Sequence, residues 1–493
     1  MIEAGSTALL VDPLLAEDFG HTLRNRFMVY PPRRIDVGRM PPLHGVLVTH
    51  EHEDHFDPPG LARLPRTVPV FLSARASVAA HRILAEMGFA VERVAPGQRV
   101  TRGDLVLDLF TPDHVQRPEV DEWAVLPFLA RDRQGHGSLF SAVDVTESDG
   151  LRAVLRATVG AGRLGVYVLT CNAGNGAPQN SWEPPDPEPT RSFLSGVTAR
   201  LAALADAWAA PAVTLIAGGG FAFPAEIGWL NRNYFNVDVA DMVEALGRAT
   251  PASRVIAARP GLSVTFESGR VATIHESAPF IDVAPRATWP ARDFRGDVPV
   301  LQDYPPASGR ARITKAERAE LLAGLADLAA HLYGGPLFQT LYSLDPGGLG
   351  IRRPTLALVL RTRNAGREDY LVLAYDPTSC AFLPEESADP PADYAAVFEC
   401  WATDLLALFR GEMAPFQVVF GRCREWCGVP ALQAFPFVTQ GLVTYFHPLR
   451  RPASYLSLFR RLANRSPRVS SGPARPASTR SYQADRLRRQ PRR

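Results

Sequence analysis

The stretch VTHEHEDHFDP, residues 48–58, holds His50, His52 and His55 beside Glu51, Glu53, Asp54 and Asp57. The whole chain has 11 histidines in 493 residues, so three within one short loop call for a chemical reason. Val46 to Thr49 is apolar and β-branched, which predicts a strand ending at His50. Alternate side chains of an extended segment point the same way, so the imidazoles of His50 and His52 can reach one ion. Asp54 and His55 follow where the chain turns toward a helix, and they project to a neighbouring position able to serve a second ion. Neutral imidazole and carboxylate are the donors a divalent cation takes, at about 2.0–2.2 Å. The cation in turn offsets the cost of burying the carboxylates. The loop is therefore read as a cradle for one or two divalent ions, with zinc first and iron as the alternative, rather than as a merely solvated polar turn.

The neighbouring pattern supplies the elements that must hold this loop. TALLVDPLL predicts a strand ending in an Asp-Pro turn at Asp12, HGVLVTH a second strand, and VPVFLS a third. Between the last two, Asp57 can cap a short helix with Pro58 in its first turn. ARASVAAHRILAEMGF predicts a helix that stops at Gly88, and LVLDLFTP, HGSLFSAVDV, GVYVLTC and AVTLIAGGG predict further strands. PTRSFLSGVTARLAALADAWAA and VADMVEALGRA predict helices. Strands with helices between them imply one layered domain over residues 1–282. Residues 283–310, rich in Pro, Asp and Arg, are expected to be a linker. Thr314 and Glu317 then form a capping box ahead of a helix with Leu321, Leu325, Leu328 and Leu332 on one face. TLALVLRT and YLVLAY predict an antiparallel pair, and AAVFECWATDLLALFRG a helix with Phe398, Trp401, Leu405 and Leu408 on one stripe. These make a smaller C-terminal α/β domain over 311–464, and the Ser-, Pro- and Arg-rich residues 465–493 are expected to be a basic disordered tail.

A hydrophobic fraction of 46% and a net charge of +2 imply a real core and no global field that would draw nucleic acid or membrane. Lys315 is the sole lysine among many arginines, a composition expected of a GC-rich bacterial genome rather than of a function. None of the five cysteines (Cys171, Cys380, Cys400, Cys423, Cys427) forms a C-x-x-C pair, which excludes a zinc ribbon, and Cys423 and Cys427 are read as unrelated thiols. The N-terminus lacks the charged-then-apolar pattern of a signal peptide, and no apolar run is long enough for a bilayer, so a cytoplasmic location is expected.

His50-Glu51-His52-Glu53-Asp54-His55 also reads H-x-H-x-D-H, lying after an apolar strand and before a helix. On that loop the chain resembles the metallo-β-lactamase superfamily. The resemblance implies an α+β fold, an αββα sandwich, here followed by the smaller α/β domain. It further implies a third histidine, with His114 in FTPDHVQ preferred to His136, which sits in a hairpin-like RQGHGS. An aspartate bridging two ions is also implied, and Asp144 in LFSAVDVTES fits it. No histidine occurs between His136 and His275, so a second ion would rest on Asp54, His55 and Asp144. The ordered stretches LLVDPLL, HEHEDHFDPPGL, DHVQRPEVDEW, GHGSLFSAVDVTES, VLTCNAGNGAPQ, IAGGGFAFP and RPGLSVTFESGR resemble the metallo-β-lactamase part of cytidine-monophosphate N-acetylneuraminate hydroxylase-like proteins. That likeness runs over roughly residues 1–270. Hydroxylases of that type carry a Rieske iron–sulfur domain as electron donor, and no C-x-H…C-x-x-H pair occurs here. The abrupt start near the Asp12 strand is compatible with a start codon lying upstream.

Three functions follow. The first is a hydrolase in which a metal-activated water attacks an ester, lactone, amide or phosphoester of a small molecule, with Asp54 orienting the water or carrying its proton. The second is an iron-dependent oxygenase, which would need an external reductase or ferredoxin. The third is a non-catalytic metal-binding protein. Asn172 and Asn175 in the loop TCNAGNG are candidates for binding a polar substrate, against the alternative of a plain turn. Phe221, Phe223 and Trp229 are either aromatic walls of the site or ordinary packing.

Overall fold

The structure is a computed structural model that describes residues 1–112, 121–160, 164–170, 188–207, 211–232, 234–235, 237–267, 270–276, 278–292, 304–345, 348, 350–364, 366–387, 389–429 and 437–465. His114, Asn172, Asn175 and all but the first residue of the 465–493 tail lie outside the described residues.

The three central N-terminal strands are buried on both faces, the pattern of parallel strands covered from two sides. Thr7–Val11, Gly45–Val48, Val70–Ser73 and Val91–Val94 pair parallel in that order, with Ile2–Ala4 added antiparallel at the edge. Side chains alternate across each strand. Leu9, Leu47 and Phe71 face inward onto Leu107, Leu109, Leu129, Phe140 and Leu169 of a second sheet. That sheet has seven strands in the order Arg254–Ala257, Val213–Ala217, Val166–Thr170, Ser138–Ser141, Phe128–Asp132, Leu105–Leu109 and Arg99–Arg102. The alternate residues Leu10, Val46, Val48, Val70 and Leu72 face outward onto Ala79, Ala80, Ile83 and Leu84 of the helix Val78–Glu86. On the far side, the helices Asp149–Val159, Pro189–Ala207 and Val239–Ala249 cover the second sheet with Leu151, Leu155, Leu201, Met242 and Leu246. Helix, sheet, sheet, helix is the layer order of an αββα sandwich, so the α+β expectation holds.

The second core surrounds a five-stranded sheet, ordered Ala381–Glu385, Arg367–Asp376, Arg353–Asn364, Tyr394–Trp401 and Cys423–Cys427. The helix Lys315–Leu332 packs against it through Leu321, Leu325, Leu328 and Leu332, behind the capping box of Thr314 and Glu317. Residues of the expected linker take part: Asp404 accepts the N–H groups of Ala307 and Ser308, each at 2.8 Å.

One element differs from the sequence reading. AAVFECW is a strand, Tyr394–Trp401, and only Ala402–Phe409 is helical. All eight strand residues are buried, with Val397 in one cluster and Phe398 and Cys400 in another. A segment buried on both faces shows no alternation of apolar and polar residues, and its one charged residue, Glu399, is itself buried, so Phe398, Trp401, Leu405 and Leu408 imitate a helical stripe across two elements. Cys400, Cys423 and Cys427 are buried free thiols. No single helix among the described residues is long and apolar enough to cross a membrane.

The helix Pro452–Ala463 returns to the N-terminal sandwich. Leu456, Leu458, Phe459 and Leu462 join the core beneath the helix Val78–Glu86, and Arg460 pairs with Glu86 at 2.6 Å. Phe459 packs on His21 and Phe56, with ring centroids 4.9 and 5.1 Å apart. Phe459→Ala should therefore cost about 3–5 kcal/mol, seen as a lower urea midpoint. An unchanged midpoint would mean that this helix does not brace the sandwich.

Candidate metal centre

Strand ends converge on one carboxylate. Asp12 follows the strand Thr7–Val11, and Thr49 follows the neighbouring strand Gly45–Val48. The Asp12 N–H donates to Leu47 O at 2.9 Å. Asp12 Oδ1 accepts the Thr49 N–H and Oδ2 accepts the Thr49 hydroxyl, both at 2.8 Å. His55 Nδ1 lies 2.8 Å from Asp12 Oδ2 and donates to it. The Thr49 hydroxyl proton is committed to Asp12, so its oxygen accepts from His50 Nδ1 at 3.1 Å. Both imidazoles are thereby held with a proton on Nδ1, which aims Nε2 of each at a common point.

Asp144 meets them there. Its Oδ2 is 3.3 Å from His50 Nε2 and 2.9 Å from His55 Nε2. The donor atoms of His50, His55 and Asp144 all lie within 4.8 Å of one another. Asp144 sits in the turn after the strand Ser138–Ser141, presented by Val143 at φ 58°. That conformation is a genuine outlier for a β-branched residue and costs on the order of 1–3 kcal/mol. The Ser141 hydroxyl accepts its N–H at 3.1 Å and the Thr170 hydroxyl donates to its carbonyl, which hold the turn.

The electrostatics suit a cation. Burial, aided by His55 and His52, pushes His50 down to about 4, so it stays a neutral imidazole, the form that ligates. Burial also acts to lower His55, but Asp144, Asp54 and Asp12 outweigh it and hold that imidazole well above its usual value. Three carboxylates that favour a proton on His55 Nε2 favour a divalent ion in the same place. Burial acts to raise Asp144, and His55 and His50 overcome it and hold the carboxyl well below the usual range. His50 Nε2 is buried and, apart from the 3.3 Å approach of Asp144, has no well-formed hydrogen bond among the described residues, a lone pair that a metal would satisfy. The donor set fits the group.

The other loop residues divide by burial. Glu51 turns inward and accepts the Ser77 N–H and hydroxyl at the start of the helix Val78–Glu86. Glu53 accepts from Gln417 Nε2 at 2.6 Å. Burial lifts both carboxyls to about 7. Asp57 caps the helix Pro58–Leu61 through the Gly60 N–H at 2.8 Å and pairs with the buried Arg26 at 2.5 Å. Asp54 alone stays half-exposed, with its Oδ2 3.6 Å from His55 Nε2. His52 stands beside His50, ring centroids 4.3 Å apart, and meets Phe416 at 5.7 Å. His50, His52 and Glu53 line a cleft with His21, Phe416 and His447, so the C-terminal domain forms part of its wall.

His136 is exposed in the hairpin turn, 3.2 Å from Asp132, at the opposite end of the strand Ser138–Ser141 from Asp144. Phe221 and Phe223 belong to an aromatic cluster with Phe19, Phe27 and Phe235. Sequence reasoning took Asp12 for a turn residue and passed over Thr49, His21, Phe416, Gln417 and His447. Only Asp12, at the end of an apolar strand next to the metal-loop strand, left a signal that could have been used.

Residues 7–132 match the family model described as "Beta-lactamase superfamily domain". No curated protein matches the chain. Among solved structures, the chain is similar to a mutant of the CmlA β-hydroxylase at 19% identity, covering 51% of this chain and 49% of that one, with a TM-score of 0.34. It is similar to CmlA from Streptomyces venezuelae, described as a diiron β-hydroxylase, at 15% identity, covering 50% and 48%, with a TM-score of 0.31. It is also similar to a possible metal-dependent hydrolase from Veillonella parvula at 13% identity, covering 52% and 92%, with a TM-score of 0.34. The chain thus spans about half the length of the CmlA structures it matches. Likeness at this level assigns neither activity.

Asp12→Asn keeps a residue that tolerates the positive φ of 43° at this position but weakens the hold on His55. Metal affinity should fall about 10–100-fold in competition with a chelator, with the metal-free protein melting as before. Unchanged affinity would remove Asp12 from the centre.

Proposed function

Residues 7–132 belong to the metallo-β-lactamase superfamily, and from that premise we propose that the chain is a metal-dependent hydrolase acting on an ester, lactone, amide or phosphoester of a small molecule. The observation that carries this reading is the convergence of His50 Nε2, His55 Nε2 and Asp144 Oδ2 beside a cleft, with both imidazoles fixed in the ligating tautomer.

A divalent ion bound by these residues supplies a coordinated water of pKa about 7, and so hydroxide at neutral pH. His50 and His55 would hold such an ion through Nε2, and Asp144 would add a carboxylate oxygen beside both. Asp12 fixes His55 directly and His50 through the Thr49 hydroxyl. His52, next to His50, is placed to add a further imidazole. Asp54 is half-exposed at the edge of the cluster and is suited to orient the water or to carry its proton to the leaving group. The walls of the cleft exclude bulk water from one side. Asn172 and Asn175 remain proposed contacts to a polar substrate, and His114 a proposed third histidine.

Protein purified without added metal should carry about one or two zinc ions per chain by elemental analysis, lost in His50→Ala, His55→Ala and Asp144→Asn. A panel of p-nitrophenyl ester, lactone and phosphodiester substrates should show hydrolysis that a chelator abolishes and zinc restores. Iron instead of zinc, with oxygen consumed on adding a reductant and no hydrolysis, would overturn the hydrolase in favour of an oxygenase. Asp54→Asn should keep the metal and slow hydrolysis by about 10²–10⁴-fold; an unaltered rate would exclude Asp54 as the proton carrier.

A further inference from the structure

We propose that Phe416 and Phe420, from the C-terminal domain, form with Tyr234 an aromatic subsite beside the metal loop. The substrate would then carry an aromatic or similarly flat apolar group next to the polar group it offers the metal. The proposal rests on the metal-centre reading above and narrows its substrate class.

The rings form an unbroken strip. Phe416 meets His52 edge-on at 5.7 Å, and Phe420 stacks on Phe416 at 5.8 Å with 22° between the planes. Tyr234 meets Phe420 edge-on at 5.8 Å. The strip therefore runs from His52 through Phe416 and Phe420 to Tyr234. Phe416, Phe420 and Tyr234 are each only partly buried, whereas Phe27, Phe223 and Phe235 behind them are buried. Phe416 lines the cleft beside His50 and His52, and partly uncovered aromatic surface there is a usual lining of a small-molecule site.

The strip is also rigidly mounted. Between the two phenylalanines, Gln417 donates to Glu53 of the metal loop at 2.6 Å. Just before them, the Ala414 N–H donates to His21 O at 2.9 Å, and His21 in turn bonds Phe56 O at 2.7 Å. Phe27 and Phe223 back Phe420 at 5.9 and 6.2 Å. The surface is thus preformed, and a ring that lies on it meets little reorganisation.

The test uses the full zinc-loaded chain and two probes that chelate zinc and iron alike, acetohydroxamate and benzohydroxamate, titrated by calorimetry. Benzohydroxamate should bind roughly tenfold more tightly, the effect of covering one ring. Phe416→Ala and Phe420→Ala should bring that ratio to about one while acetohydroxamate affinity stays put, and Phe416→Tyr should keep the preference. Phe420 stacks on Phe416, so its variant probes the subsite one ring away from the loop. Equal binding of the two probes by the native protein, or a preference that survives both alanine variants, would overturn the subsite and leave the metal centre standing. Failure of both probes to bind metal-loaded protein would overturn the open metal centre and the subsite together.

Discussion

The carboxylate of Asp12 is the constraint on which the centre depends. It accepts from His55 Nδ1, from the Thr49 N–H and from the Thr49 hydroxyl, and the hydroxyl passes the constraint on to His50. One side chain thereby sets the tautomer of two imidazoles. It can do so because Asp12 and Thr49 end adjacent parallel strands whose pairing fixes Val11 against Leu47. The buried alternation of those strands, one face to each core, makes a slip of register costly, and the precision of the sheet becomes the precision of the ligands. Two of the four non-glycine residues with positive φ among the described residues lie here, Asp12 and Val143 just before Asp144. Such strain persists where the surroundings over-determine it, and the two hydroxyls around Val143 do so here.

The density of acid in the loop has a divided purpose. Glu51 holds the loop to one helix start, Asp57 holds the start of another, and Glu53 reaches the C-terminal domain through Gln417. Asp54 is left half-exposed to solvent. The C-terminal domain is consequently part of the site: it contributes Phe416 and His447 to the cleft and sends the helix Pro452–Ala463 back under the sandwich, where Phe459 packs on His21. A centre built this way couples the metal loop to residues some four hundred positions away.

Much of this was legible because it is local. The metal loop lies in one run, its strand and short helix are announced by β-branched residues, Asp57 and Pro58, and the Leu321–Leu332 face repeats at helical spacing. Asp144 could be read as a carboxylate at the end of an apolar strand. What was not legible depends on distance or on uniform burial. Thr49 gives no sign that its hydroxyl serves Asp12, 37 positions earlier. Nothing in MAPFQVVF announces that it stands over His52. The strand Tyr394–Trp401 hides its period because every residue is buried. The alternation that pairs His50 with His52 stops applying at Thr49: the chain turns over His52, whose carbonyl accepts the N–H groups of His55 and Phe56. That turn brings His55 round to His50 and Asp144.

The most direct test of the centre is anomalous diffraction from crystals of the full chain, recorded at the zinc and iron absorption edges. A peak is expected within coordinating distance, about 2.0–2.2 Å, of His50 Nε2, His55 Nε2 and an Asp144 oxygen, with Asp12 still bonded to His55 Nδ1. A peak that leaves out His55 and Asp144, or none in protein shown to contain metal, would contradict this centre.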